Sequence, residues 1–330
     1  GVPDASTYIY YGLHNLQHRG QEGGGIATFD EHGDSHRYRG LGLLNEIFNN
    51  GQVGKLKGSL GIGCVKYANA SRGGLDNVGP FFFRHHSGDF CVASDGNLVN
   101  SKQIAQYLEK RGTIFQTDTD AELLAHLIKK SANEDRIVNI VKALNMMEGG
   151  YTFVIMTKNR IYAARDKYGI KPLCIGRIGD GYVVSSESCA FGIMGAEFIR
   201  DVRPGEIISL DHHGIRSTIF SKFCKHRMCG MEYIYFARPD SDIDGCNVHA
   251  YRKEAGRRLY RECPVEADMV VGVPESSLSA AMGYAEESGI PYEMGLVKHK
   301  YVGRTFIEPV QSMRELGVKM KLSPVYSIVK

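Results

Sequence analysis

Residues 16–26 combine groups that do chemistry with a backbone that can come close to a ligand. They read Leu-Gln-His-Arg-Gly-Gln-Glu-Gly-Gly-Gly-Ile, with His18 and Arg19 directly before a glycine-rich run. Glycine at that density costs chain entropy, so it marks tight backbone or a ligand pressed against the main chain. A flexible surface loop is the alternative that composition alone favours. The order His-Arg-Gly-Gln-Glu, taken with the motifs below, favours a ligand site.

Composition limits the classes to which the chain can belong. Its 330 residues suffice for two domains, and its net charge is only +3 with no block of Lys and Arg, so we expect no nucleic-acid partner. No apolar run approaches the ~18 residues that span a bilayer, and no signal-peptide pattern opens the chain, so we expect no membrane partner. The eight cysteines show no Cys-x-x-Cys pair, which indicates reduced thiols and a cytoplasmic protein.

Two patterns of elements must position these residues. The first ~225 residues alternate blocks of predicted strands with blocks of predicted helices, which favours helices layered on antiparallel sheets. The predicted strands are 25–29, 59–67, 88–94, 151–157, 161–165, 182–186 and 206–210. The predicted helices are 7–18, 101–111, 120–131 and 134–147. From residue 269 a strand, a helix over 278–287 and a second strand over 292–298 predict one β-α-β unit.

The ordered motifs of the chain resemble blocks of one family. Besides 16–26 they are 151–153, 164–173, 184–190, 202–206, 232–241, 243–245 and 298–307. Together they resemble the amidophosphoribosyltransferases, also called glutamine phosphoribosylpyrophosphate amidotransferases, of the Bacillus-like type. These are class II glutamine amidotransferases. The resemblance covers nearly the whole chain.

The resemblance implies a fold and two joined reactions. Residues 1–225 would form an α+β N-terminal-nucleophile hydrolase sandwich (αββα), the glutamine amidotransferase domain. Residues 226–330 would begin an α/β type I phosphoribosyltransferase domain. The first domain would release ammonia from glutamine. The second would use it to displace pyrophosphate from phosphoribosyl pyrophosphate, giving 5-phosphoribosylamine and opening purine synthesis.

The family's nucleophile is a cysteine at the first position of the mature chain. Its own α-amine, with a free pKa of about 7.7–8.0, can serve as the base. This sequence begins at Gly1, so we expect the nucleophile on a segment before Gly1. The internal Cys64 has no free α-amine, and we interpret it as a small buried hydrophobe.

Five residues match positions that hold glutamine in the family. They are Arg19, Gly20, Lys66, Tyr67 and Asp120, the last matching the residue that holds the substrate amino group. The family has arginine where this chain has Lys66. Lysine keeps the charge but loses the planar fork that grips a carboxylate with two bonds.

The predicted oxyanion hole is altered. The family has Asn-Gly where this chain has Asp95 and Gly96. Gly96 can still donate its backbone N–H, but an ionised Asp95 only accepts hydrogen bonds. The loss of one such donor costs about 3–4 kcal/mol of barrier. We therefore expect weak glutaminase activity or none.

The basic segment near the end resembles the loop that closes over phosphoribosyl pyrophosphate. Lys298, Lys300 and Arg304 would face pyrophosphate oxygens, and Mg²⁺ would accompany the substrate. The alternative is a basic, solvated loop. The family's acidic, Gly/Thr-rich phosphate loop would follow Lys330. Glu275-Ser276-Ser277, after a parallel strand, could face a ligand or begin a helix.

Cys229 matches a cysteine that ligates a [4Fe–4S] cluster in some members of the family. Such a cluster needs four thiolates, and the other three would lie beyond Lys330. A buried structural thiol is the alternative. The resemblance further implies glutamine, phosphoribosyl pyrophosphate and inhibitory purine nucleotides as ligands, and a homotetramer.

Two alternative functions stay open from the sequence. One is a degenerate paralogue that has lost glutaminase activity and uses free ammonia or regulates. The changes at Lys66 and Asp95 favour it because they fall on one pocket. The other is a different class II glutamine amidotransferase, against which the motifs at 232–241 and 301–307 count.

Overall fold

Two units make up the part of the chain that the computed structural model describes, residues 2–67, 74–131, 133, 135–222, 224–300 and 310–330. Unit 1 comprises residues 1–229 with 242–245, and unit 2 comprises 230–241 with 246–330. The strands are β1 (Gly23–Phe29), β2 (Ser35–Leu41), β3 (Leu60–Lys66), β4 (Phe81–Phe83), β5 (Phe90–Leu98), β6 (Gly149–Thr157), β7 (Arg160–Arg165), β8 (Cys174–Ile178), β9 (Gly181–Ser185), β10 (Glu197–Asp201), β11 (Glu206–Asp211), β12 (Gly214–Ile219), β13 (Asp242–Ile243), β14 (Cys246–Asn247), β15 (Val270–Val271), β16 (Tyr292–Glu293), β17 (Leu296–Lys298) and β18 (Leu322–Pro324).

Helices surround these strands. They are α1 (Ala5–Asn15), α2 (Leu44–Ile47), α3 (Gln52–Lys55), α4 (Ser101–Glu109), α5 (Asp120–Lys130), α6 (Arg136–Asn145), α7 (Cys189–Met194), α8 (Val248–Glu262), α9 (Leu278–Ser288), α10 (Gln311–Lys321) and α11 (Tyr326–Val329). Short 3₁₀ helices cover Gln17–Arg19 and Leu75–Asn77, and a π-helix covers Glu232–Phe236.

A six-stranded antiparallel sheet is the centre of unit 1, in the order β12-β11-β7-β6-β5-β4. One face packs on α4, α5 and α6. Their apolar stripes, with Leu108, Leu124 and Ile140 fully buried, meet Phe153 and Ile155 of β6. Burial of these side chains is the main source of stability for this layer.

Two three-stranded antiparallel sheets cover the other face. Their orders are β2-β1-β3 and β10-β8-β9. The first packs Ile62 on Met156, and the second packs Ile175 on Ile208. Leu13 of α1 packs outside the first sheet, while α7 packs outside the second. The layers run helix, sheet, sheet, helix, so the predicted αββα sandwich is confirmed.

Unit 2 contains the predicted β-α-β unit. Its strands β15 and β16 pair in parallel, and α9 connects them. Gly289, at φ +71°, ends α9 in the left-handed conformation that glycine adopts at low cost. The predicted strand over 292–298 is wrong as one element, because it consists of β16 and β17 separated by two residues.

Candidate functional site

Arg19 lies where the first helical segment turns into the sheet. The chain leaves α1 at Asn15, makes a 3₁₀ turn over Gln17–Arg19 and enters β1 at Gly23. This path places Arg19 inside unit 1, where it is only 8% exposed. A guanidinium so buried needs partners for its donors.

Two carboxylates hold that guanidinium. Its Nη1 donates to Glu187 Oε1 at 2.7 Å, and its Nη2 donates to Asp95 Oδ2 at 2.8 Å. Glu187 is fully buried and also bonds His18 Nε2 through the same Oε1 at 2.6 Å. Lys171 Nζ lies 3.6 Å from Asp95 Oδ1. The side chains of Glu187, Arg19, Asp95 and Lys171 thus form a row in which carboxylates and cations alternate.

Asp95 is ionised by its neighbours. Burial by itself raises the pKa of this carboxyl, but the charges of Arg19 and Lys171 outweigh burial and lower the pKa to about 2. The side chain is still 32% exposed, so water screens part of this attraction. At neutral pH the residue is an acceptor on both oxygens.

Gly96 lies within β5 rather than in a turn after it, because the strand predicted to end near residue 94 runs to Leu98. Its φ is +111°, and a Cβ there would stand 2.1 Å from Gly150 O, so only glycine fits. The N–H of Gly96 helps to lower the pKa of the neighbouring Asp95 carboxyl. Beside the expected oxyanion donor, this chain thus has a carboxylate that can only accept hydrogen bonds.

Gly20 and Lys66 lie against each other across the edge of the first sheet. A Cβ on Gly20 would stand 2.2 Å from the backbone nitrogen of Lys66, and Gly23 pairs with Lys66 in the β1–β3 register. Lys66 Nζ donates to Asn77 O, and Asn77 Oδ1 accepts from the N–H of Asp118. This contact joins Lys66 to the loop that leads to the predicted substrate-binding Asp120.

Asp120 is the first residue of α5 and is bonded to β5. Its Oδ2 accepts from the N–H of Leu98 at 2.9 Å, two residues after Gly96. Burial raises the pKa of Asp120 to about 6, although the Leu98 hydrogen bond acts in the opposite direction. The structure thus connects Arg19, Gly96 and Asp120 through the end of β5.

A cavity of about 740 Å³ lies beside this cluster in unit 1. Its walls include α1, the outer edge of β3 over residues 60–65, β9 over 181–184, and β5 at Asp95. Arg19 and Asp95 line it, whereas Gly20, Lys66, Tyr67, Gly96 and Asp120 do not. The two three-stranded sheets thus present their β3 and β9 edges to one space.

The thiols of unit 1 fall into two groups. Burial raises the pKa of Cys64 to about 12, against the opposing charge of Lys66, so this thiol is protonated at neutral pH. Cys91 behaves in the same way. Cys224, by contrast, is exposed, as is Cys263 of unit 2. All eight cysteines are free thiols.

The predicted phosphoribosyl pyrophosphate loop is described only in part. Lys298 ends β17, and its Nζ lies 3.4 Å from Glu275 Oε2. Lys300 is exposed. Arg304 lies outside the described residues. Ser277 is at the N-cap of α9, but its hydroxyl donates to Val273 O at 2.6 Å and makes no cap bond.

Metal ligands are sparse in the described ranges. They contain no group of three or more His, Cys, Asp or Glu side chains that could hold a metal ion. Cys229 is half-buried, and its backbone N–H donates to Ile170 O. These residues therefore do not fit an iron–sulfur cluster or a protein-only Mg²⁺ cage. Among the described helices, none has the length and apolar character to cross a membrane.

Comparison with known proteins identifies the family. A family model described as a glutamine amidotransferase domain matches residues 77–192. The amidophosphoribosyltransferase of Bacillus subtilis (strain 168) is 52% identical over 332 residues, which cover 100% of this chain and 69% of that protein. The chain belongs to the amidophosphoribosyltransferase family. The amidophosphoribosyltransferase of Staphylococcus aureus (strain Mu50) is 47% identical over 329 residues, covering 99% of this chain and 66% of that protein.

Solved structures agree with the amidophosphoribosyltransferase assignment. The glutamine phosphoribosylpyrophosphate amidotransferase of B. subtilis, complexed with ADP and GMP, matches with a TM-score of 0.93 at 50% identity over 100% of this chain and 72% of that one. A structure described as the allosteric regulatory enzyme of purine biosynthesis also gives 0.93, at 51% identity over 100% of this chain and 71% of that one. The predicted family, enzyme class and fold are confirmed.

Three residues of the charge network were absent from the predicted site. They are His18, Lys171 and Glu187. His18 and Glu187 lie 169 residues apart in the sequence, so no local pattern joins them. Glu187 lies two residues after β9 and is fully buried, and a carboxylate so buried must be paired.

Proposed function

We propose that the protein transfers ammonia to phosphoribosyl pyrophosphate, releasing pyrophosphate and forming 5-phosphoribosylamine, the first step of purine synthesis. Family membership supports this reaction. The geometric observation that supports it is that Arg19 and Asp120 both contact β5, Arg19 through Asp95 and Asp120 through the N–H of Leu98. The chain spans about two thirds of the length of the curated relatives that it matches, 69% and 66% for the two above.

Residues 1–225 would form the glutamine amidotransferase domain. In it the charges of Arg19 and Lys66 would attract the substrate carboxylate, and the ionised Asp120 would accept hydrogen bonds from the substrate ammonium group. Gly20 allows the segment before β1 to lie against Lys66, since any side chain at Gly20 would strike the backbone of Lys66. Tyr67, next to Lys66 in the chain, would complete the pocket.

The nucleophilic cysteine would enter this site from a segment ahead of Gly1. The cavity offers room for it, because β3 and β9 each present an outer edge there and Val2 lies in its wall. An extended segment between those edges would bond to unpaired strand backbone. It would also end beside Arg19 and Asp95, where the glutamine amide must lie.

Residues 226–330 would form part of the phosphoribosyltransferase domain. Lys298, Lys300 and Arg304 would stabilise the charge that develops on departing pyrophosphate. Mg²⁺ would enter with the substrate, whose phosphate oxygens would supply the ligands that the described residues do not. An iron–sulfur cluster at Cys229 would need three further thiolates.

A second candidate is an enzyme that works from free ammonia. One observation favours it, namely that Asp95, ionised by Arg19 and Lys171, provides no donor for an oxyanion. Its negative charge would lie beside the developing oxyanion, which raises the barrier to attack on glutamine. Ammonia bypasses this step because it needs no acyl intermediate.

Purine nucleotides are proposed as regulators, in parallel with the B. subtilis enzyme that was crystallised with ADP and GMP. A homotetramer is proposed from the same family. A cytoplasmic location is proposed because all eight cysteines are free thiols.

The test is an assay of the full-length encoded protein with phosphoribosyl pyrophosphate and either glutamine or ammonium chloride as the nitrogen source. Pyrophosphate release with both sources at comparable turnover supports the two-reaction enzyme. Release with ammonium alone supports the second candidate. Release with neither contradicts the proposed transfer. A Lys298→Gln variant should lose activity with both sources, whereas an Asp95→Asn variant should alter only the glutamine reaction.

A further inference from the structure

The β4–β5 turn, residues 84–89, brings cationic groups from three elements to one serine. Lys129 of α5 donates from Nζ to Ser87 Oγ at 2.8 Å. Arg136 of α6 donates from Nη2 to Ser87 O at 3.3 Å. His85 Nδ1 lies 2.8 Å from the same hydroxyl, and the His85 and His86 rings are 4.1 Å apart.

The two cations at this turn differ from several arginines of unit 1, which form ion pairs. The arginines at 19, 160, 165, 200 and 216 each pair with a carboxylate. In the described part of the chain, Lys129 and Arg136 form no ion pair and bond to an uncharged hydroxyl and carbonyl instead. Asp89 is nearby, but its Oδ1 accepts from the N–H of His85.

The cationic groups at the turn also repel one another. Burial first, and then the charge of Arg136, lower the pKa of Lys129, while Asp89 opposes them. Burial, followed by Lys129, His86 and Arg136, lowers the pKa of His85. A bound anion would reverse this repulsion, because it stabilises the protonated form of each group.

We propose that the β4–β5 turn, with Lys129 and Arg136, is a binding site for a phosphate group, free or in a monoester. Ser87 N–H donates to His85 Nδ1, so in the neutral ring the proton is on Nε2, which has no hydrogen-bond partner among the described residues. The turn therefore carries three donors: Lys129 Nζ on the Ser87 hydroxyl, Arg136 Nη2 on the Ser87 carbonyl, and the Nε2–H of His85. Tetrahedral dianions are held by such sets of charged donors.

Access to the turn is open. Ser87 and Gly88 are exposed, and a Cβ on Gly88 would meet only Arg136 Nη2, at 3.7 Å. The Phe90 ring lies 5.0 Å from Lys129 Nζ and limits where this cation can move. The site is separate from the glutamine pocket proposed above and does not depend on that function.

The experiment is an NMR titration of the histidine ring protons of the full chain at pH 7.5. The additions are sodium phosphate, glycerol 2-phosphate and, at equal ionic strength, sodium chloride. His85→Asn and His86→Asn variants assign the two signals. We expect saturable shifts at both histidines with phosphate and none with chloride. Saturation by glycerol 2-phosphate as well identifies a site for monoesters, and saturation by phosphate alone identifies a site for the free ion.

Lys129→Gln should weaken phosphate binding about tenfold, the effect of one charge-assisted hydrogen bond. Lys130→Gln is the matched control, since Lys130 is the next residue of α5 and its Nζ donates to Arg111 O instead. If Lys129→Gln does not fold, Arg136→Gln replaces it. Equal shifts with chloride, no saturation, or equal affinity in Lys129→Gln and the wild type would overturn the proposal.

Discussion

At the scale of single residues, the pairing of Asp95 bears directly on the proposed reaction with glutamine. The carboxylate is paired with Arg19 and lies 3.6 Å from Lys171 Nζ. An amide at the same position would accept from Arg19 through its oxygen and offer an N–H to the substrate. An aspartate and an asparagine thus differ here by one atom, which changes an acceptor into a donor.

Asp95→Asn should therefore raise glutamine-dependent turnover of the full-length protein about a hundredfold, the value of one oxyanion donor. Turnover with ammonium chloride should not change. The measurement is pyrophosphate release with each nitrogen source. Asp34→Asn, an exposed aspartate on the turn after β1, is the matched control. A variant that gains nothing with glutamine would place the defect elsewhere in the pocket.

Asp120 makes stability depend on pH in a definite direction. Burial raises its pKa from 3.8 to about 6, so the folded protein binds this proton more tightly than the unfolded chain does. The contribution of Asp120 to the free energy of unfolding is therefore greatest below pH ~4. It decreases as the pH rises through ~6. Asp120→Asn keeps an oxygen for the Leu98 N–H but cannot titrate.

The difference in unfolding free energy between Asp120→Asn and the wild type should increase from pH 4 to 6 and stay constant above pH 7. Urea unfolding at each pH measures it. The comparison of the two proteins cancels the similar shift of Asp201, whose pKa burial also raises to about 6. A difference that does not vary with pH would show that Asp120 does not titrate in this range.

The sequence identified most of these residues but not their partners. Arg19, Lys66, Asp95 and Asp120 follow from residue type and from the family resemblance. Glu187 does not, because the contact that gives it a role spans 168 residues of sequence. Pairings of that kind are set by the packing of two sheets, which no local period records.

At the scale of elements, the spacing of apolar residues predicted the helices and strands that have a clear apolar face. The helices predicted at 101–111 and 120–131 are confirmed as α4 and α5 to within two residues. β2 was missed because Ser-His-Arg-Tyr-Arg-Gly-Leu has neither an apolar run nor a clean alternation. α8 was missed because its surface is charged, and it pairs with α9 through ions such as Arg257–Glu286.

The interface between α8 and α9, here called the α8–α9 seam, depends on two glycines that let the two backbones touch. A Cβ on Gly256 would stand 1.8 Å from Ala280 O, and one on Gly283 would stand 1.8 Å from Lys253 O. Gly256→Ala must force the helix backbones apart and should destabilise unit 2 by about 2 kcal/mol or more. Thermal unfolding followed by circular dichroism measures it.

Gly230→Ala is the control for this seam. It lies in the same unit, and no atom lies within 4 Å of the position of its Cβ. Its helical backbone should gain about 0.5–1 kcal/mol from the added methyl group. Equal effects of the two alanines would mean that the seam can open at little cost.

At the scale of the whole molecule, the layering followed from the order of motifs, but the division of one layer did not. β1–β3 and β8–β10 form separate sheets whose β3 and β9 edges face one cavity. Hydrophobic patterns show that a strand exists and which face it buries. They do not show which strand is its neighbour, because that depends on contacts distant in sequence.

A segment ahead of Gly1 that pairs between β3 and β9 should slow hydrogen exchange at the outward-facing amides of both strands. The experiment compares this chain with one lengthened by the encoded upstream residues. A lengthened chain with proline at alternate upstream positions is the control, since proline donates no ladder bond. Equal protection in all three would place the segment outside the cavity.

Because the thiols differ in exposure, two of them can be labelled with dyes in preference to the others. Cys224 is exposed in one unit and Cys263 in the other, while burial keeps Cys64 and Cys91 protonated and slow to react. Once the half-buried Cys229 and Cys246 are replaced by serine, a maleimide dye pair would attach at two native positions. Energy transfer between the dyes would then report the separation of the two units during turnover, without any introduced cysteine.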